Sequence, residues 1–140
     1  MKTLKYLIDQ NEEQREVADR FCDATHALAR VANGTAGRVI PGPTAYDLLG
    51  DLGAALRYLA EVVEFLPQGL QNSLTDGWIT VYDEVFWSRE KRDPAAQAAI
   101  AANHLAKLLE HLRPASLAAD AAQEALNGQG YRTPAEEALR

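Results

Sequence analysis

A single cysteine, Cys22, stands in the 140 residues, so the chain has no intrachain disulfide and no cysteine-based zinc site. Its neighbours Phe21 and Thr25 put it on the expected inner face of a first helix, where a thiol is buried and inert. A run of about 18 apolar residues, the length that spans a bilayer, is missing. The opening MKTLKYLIDQNEEQ turns acidic at Asp9, too early for a signal-peptide core, and it carries no cleavage pattern. These absences point to a soluble, cytoplasmic protein with no membrane partner. Basic charge is scarce too: 14 Lys and Arg against 20 Asp and Glu give a net charge of -6. The densest basic cluster is Arg89-Glu90-Lys91-Arg92. Such a balance repels a phosphate backbone, so nucleic acid is not an expected partner.

Signatures of catalysis are missing as well. Ser73, Ser88 and Ser116 lie in no G-x-S-x-G elbow. No E-x-x-H pair occurs, as a di-iron bundle requires. The loop TAGRVIPGP at 35–43 holds two prolines and two glycines, but it has neither the lysine nor the preceding strand of a phosphate-binding loop. His104 and His111 sit two turns apart beside a leucine stripe and near Glu110, and His26 follows Asp23 by three; they read as flanking residues rather than ligands. Glu13 and Glu16 have the first-half spacing of the all-α nucleotide pyrophosphohydrolases of the MazG type, which hold magnesium with paired carboxylates. The second half is wrong: Asp47 to Asp51 is one residue too long, and Glu61 to Glu64 falls late in its helix. Magnesium needs oxygens that converge on one point. No catalytic residue, metal or cofactor is therefore expected.

What the chain does contain is helical periodicity, with 47% hydrophobic residues and a length that buries about two-thirds of the unfolded surface as one domain. The strongest pattern is a central helix over 44–66. Leu48, Leu52, Ala55, Leu59, Val62 and Leu66 form one row, and Leu49, Leu56, Val63 and Leu70 a second beside it. Together they are wider than one partner helix covers. Pro43, Thr44 and Asp47 mark its start, with Thr44 as N-cap. Gly50 and Gly53, each costing about 1 kcal/mol relative to Ala within a helix, share a face with Arg57 and Ala60. They are either a tolerated pair near the first turn or a small face that lets another backbone approach, including that of a second copy.

A first helix is expected over 10–33. Asp9 and Glu12 resemble a cap, Val17, Phe21, Ala24, Leu28 and Val31 form the stripe, Glu16 and Arg20 pair outside, and Asn33-Gly34 ends it. Residues 1–9 form an irregular arm or extend this helix backwards. A linker over 67–93 starts where Pro67 and Gly69 break or bend the chain. It contains WITVYDEVFW at 78–87, with four of the ten aromatic residues. A short helix suits this segment better than a strand. Trp78, Tyr82, Phe86 and Trp87 either plug the open side of a helical core or anchor a partner. A third helix is expected over 94–127, capped by Asp93 with Pro94 at N1. Ala101, Leu105, Leu108, Leu112, Ala115, Ala119, Ala122 and Leu126 keep one register across Pro114, which predicts a single helix kinked there. Asn127-Gly128 ends it, and the tail 129–140 holds a capping box before a short helix at 134–139.

The succession PGPTAYDLLGDLGAALRYLAEVVEFLPQGL, an acidic middle, DPAAQAAIAANHLAKLLEHL and AAQEALNGQGY resembles small uncharacterised all-helical proteins of actinomycetes and their mobile elements. The likeness covers about two-thirds of the chain and transfers no activity. The expected fold is all-α: an up-down-up bundle of three long helices with an aromatic linker and a short C-terminal helix. The expected function is that of a non-enzymatic interaction protein, a homodimer or the binder of a protein partner through Gly50 and Gly53, the four aromatic residues, or both. The alternatives are a metal-dependent nucleotide hydrolase and an acidic regulator that displaces DNA from a DNA-binding protein.

Overall fold

The computed structural model describes residues 4–33, 39–76 and 93–130. Those residues are all-helical, in the order α1 (Leu4–Asn33), α2 (Gly42–Thr75) and α3 (Pro94–Ala125), with no strand among them. The chain divides into two compact units, the first ending at Pro41 and the second starting at Gly42.

In the first unit, α1 starts at Leu4, so residues 4–9 belong to the helix rather than to an arm. Asp9 and Glu12 consequently lie inside it and cap nothing. The expected Glu16–Arg20 pair is present at 3.3 Å, and the Thr25 hydroxyl donates back to the carbonyls of Phe21 and Cys22 at 3.0 and 2.9 Å. Cys22 is exposed, against the expectation of a buried thiol. Its whole face of α1, including Val17, Phe21, Leu28 and Val31, is exposed.

In the second unit, α2 runs past the expected stop at Pro67 to Thr75. Proline deletes one helical hydrogen bond and crowds the carbonyl four residues back, but tertiary packing overrides that cost. Pro67 lies in register with Val63, Leu70 and Leu74, and all four are buried or half-buried. Beyond it, Gln68 donates to Asn72 at 2.9 Å and the Ser73 hydroxyl to the Gly69 carbonyl at 3.0 Å. The start of α3 is as expected: the Asp93 carboxylate accepts from the Ala95 amide at 3.1 Å, with Pro94 in the first turn. The helix is continuous across Pro114. It ends through Gly128, whose φ of 83° suits a residue without a side chain.

The helices α2 and α3 form an antiparallel hairpin, since Tyr46 meets Gln123, Arg57 meets Asp120, and Glu64 meets Arg113. Its seam has two rows of alternating three- and four-residue steps. On α2 these are Tyr46, Leu49, Gly53, Leu56, Ala60, Val63, Pro67, Leu70 and Leu74; on α3 they are Ala98, Ala102, Leu105, Leu109, Leu112, Ser116, Ala119, Gln123 and Leu126, all buried or half-buried. That 3.5-residue period is the geometry of a coiled coil. Val63 (4% exposed), Leu112 (7%) and Ala60 form the tightest cluster, with Leu56, Leu59, Leu105 and Leu109 around it.

Of the two expected rows, the longer lies beside the seam: Leu52 is 44% exposed and Val62 54%. Residue size explains the choice. Beside the shorter row stand the small residues Gly53 and Ala60, both buried, and α3 presents Ser116 and Ala119 in its own seam. Leucines continue the seam where the space between the helices is larger.

Candidate functional site

The hairpin has two unlike flanks. In an antiparallel coiled coil the positions beside the seam pair with their counterparts, one set on each side. On the first flank these positions are polar and joined. Arg57 Nη1 donates to both carboxylate oxygens of Asp120 at 2.9 and 2.8 Å, and Arg113 Nη2 lies 3.3 Å from Glu64 Oε1. Gln123 Nε2 donates to the Tyr46 carbonyl at 3.1 Å. The ion-paired side chains are all at least two-fifths exposed, so each pair is worth at most about 1 kcal/mol. Their main effect is to fix register and to keep this flank wet.

Gly50 belongs to that flank, and Gly53 to the seam beside it. Gly53 is buried, and a Cβ built on it would stand 2.6 Å from Asp120 Oδ1 and 3.6 Å from the Ala119 Cβ. A Cβ on Gly50 would meet the Gln123 side chain. What lies against both glycines is the side chains of α3 in the same chain. Within the hairpin Gly53 is buried and Gly50 half-buried.

The opposite flank is apolar. The heptad positions on this side of the seam hold Leu52, Leu59 and Leu66 on α2, and Ala101, Leu108, Ala115 and Ala122 on α3. Leu52, Leu66 and Leu108 are exposed, and among the described residues of this unit no third helix covers them. Further round α2 come Leu48, Ala55 and Val62, and then Tyr58 (67% exposed) and Phe65 (73%). Counting the seam, apolar side chains occupy more than half of the circumference of α2. The sequence reading passed over Tyr58 and Phe65 because neither falls in an apolar row; the available signal was two aromatics seven residues apart on one further face.

Trp78, Tyr82, Phe86 and Trp87, the other expected partner residues, lie outside the described residues. The carboxylates Glu13, Glu16, Asp47, Asp51, Glu61 and Glu64 are exposed, as are His26, His104 and His111. Among the described residues no group of three or more His, Cys, Asp or Glu stands where it could hold a metal ion. The hydroxyls of Ser73 and Ser116 donate to the carbonyls of Gly69 and Arg113 within their own helices. No helix among the described residues is long and apolar enough to cross a membrane. Comparisons of the chain with known protein families, with curated proteins and with solved structures give no match.

Proposed function

We propose that this chain is a non-enzymatic helical interaction protein in which α1 supplies the third helix of an up-down-up bundle. In this reading α1 lies along the apolar flank of the hairpin, and the apolar surface that remains is given to a protein partner or a second copy. The observation that carries it is the asymmetry of the hairpin: ion pairs on one flank, and an uncovered leucine and alanine surface on the other. A helix pair with one seam buries too little to be a finished domain; stable architectures cover each apolar face with another layer. The stripe of α1, Val17, Phe21, Ala24, Leu28 and Val31, has the same four-three steps as the flank. The connector at 34–41 is short, which favours an antiparallel neighbour. Apolar patches of this extent on monomers mark places where another surface docks.

The competing hydrolase reading makes an opposite, inexpensive prediction. A bound ion at one hundred times its Kd stabilises the folded state by about 2.7 kcal/mol, a shift of roughly 5 to 10 °C for a domain near this size. Thermal unfolding with and without millimolar magnesium or manganese should show no such shift, and sedimentation at micromolar concentration should show self-association or, with a partner added, a complex. A metal-dependent rise of that size together with nucleotide turnover would overturn the interaction reading.

A further inference from the structure

We propose that the outer face of α2, built on Tyr58, Val62 and Phe65, receives a basic amphipathic helix from another protein. The proposal rests on the reading that apolar surface outside the seam is binding surface, and it names the partner's chemistry. Helical geometry separates this face from the other two. The seam row of Leu56, Ala60 and Val63 is occupied by α3, and the row of Leu52, Leu59 and Leu66 points to one side of the hairpin. Tyr58 and Phe65 stand two turns apart in a third direction, with Val62 between them along the helix and to one side, and their exposures of 67% and 73% exceed those of Leu52 and Leu66. A helix laid on the flank leaves them bare. They form an aromatic ridge of the length that two turns of an incoming helix would cover, and aromatic residues are the usual anchors of such contacts.

Charge selects the partner. Asp47 and Asp51 stand at the N-terminal end of the ridge and Glu61 beside it, all exposed. Among the described residues none of the three is in an ion pair, while Arg57, the one cation of α2, is held by Asp120, and Glu64 is held by Arg113. The ridge is therefore apolar at its centre with carboxylates at its end and edge. Pairing two copies through it about a twofold axis would bring these acids together in a chain already at -6, and like charges in juxtaposition oppose association. An incoming helix with leucine-type anchors and flanking Lys or Arg meets both features.

The test uses the full chain and two synthetic helical peptides, one of leucine and lysine with leucines at heptad spacing, the other with glutamate in place of lysine. Fluorescence anisotropy of the labelled peptides is the readout. The leucine–lysine peptide should bind and the glutamate peptide should not. Tyr58→Ser with Phe65→Ser should weaken binding by about tenfold or more, as loss of aromatic anchors does; these exposed positions should leave the helical circular dichroism unchanged. Glu61→Lys should weaken binding several-fold, whereas Glu12→Lys, the same charge change on α1, should not. Equal binding of both peptides, or undiminished binding by the Tyr58/Phe65 variant, would overturn the proposal. So would conversion of a dimer to a monomer by that variant, which would make a second copy the occupant. Docking of α1 on the leucine flank is judged separately through Phe21 and Leu52, which the ridge does not include.

Discussion

Leu112→Ala should lower the free energy of unfolding by about 2 to 5 kcal/mol, the largest effect expected of any single truncation among the described residues. Leu112 is 7% exposed and packs with Ala60 and Val63 at the middle of the hairpin seam. Its neighbours across the seam are an alanine and a valine, too short to fill the space that a leucine vacates. The cavity term therefore adds to the lost transfer free energy. Leu108→Ala removes the same atoms from a position 43% exposed on the apolar flank and reads out whether that flank is covered. Urea denaturation of the two variants, with the m-value checked for constancy, measures the difference. A cost below about 1 kcal/mol for Leu112→Ala would mean that the seam is not where the hairpin is held.

Gly53→Leu is the second large effect, a loss of about 1 to 3 kcal/mol from overpacking. Already the Cβ would stand 2.6 Å from Asp120 Oδ1, and the remaining atoms of a leucine must enter the space of Ala119 on α3. Helix propensity acts in the other direction, worth about 1 kcal/mol for replacing glycine in a helix interior, and the steric term exceeds it. Gly53→Ala should be close to neutral, because the propensity gain offsets a small displacement of the Asp120 carboxylate from Arg57, an exposed pair of little energy. Thermal melts of the two variants decide the point. A stabilised Gly53→Leu would show that α3 does not lie against this glycine.

Much of the fold was legible in the sequence, and for identifiable reasons. The Asp93-Pro94 start is local backbone chemistry and stands where the residues put it, and the helix ends at Ala125, two residues before the expected Asn127, with Gly128 in the turn that follows. The unbroken register across Pro114 gave a single helix because apolar packing on both sides outweighs one lost hydrogen bond. The same logic applied to Pro67, where Val63, Leu70 and Leu74 keep register, yet there the proline and Gly69 were weighed by propensity alone and the helix was ended nine residues early. The choice of seam was not legible. Two apolar rows on α2 are equivalent by hydrophobicity, and only the pairing of Gly53 and Ala60 with Ser116 and Ala119 selects between them, a property of two helices together. That the side chains of α3 lie against Gly50 and Gly53 was not legible for the same reason. Tyr58 and Phe65 were not legible because they stand outside the leucine rows that dominate the periodicity of α2.

The most direct test of the account is a double-mutant cycle between α1 and the hairpin, using Phe21→Ala, Leu52→Ala and the double variant in urea denaturation followed by circular dichroism. If α1 covers the apolar flank, the two side chains share a contact region, and the cycle should give a coupling of about 0.5 to 3 kcal/mol, as for residues in contact. Leu52→Ala should then cost more than its exposure within the hairpin implies. Strict additivity within about 0.5 kcal/mol, with Phe21→Ala leaving the main transition in place, would contradict the claim that α1 completes the hairpin.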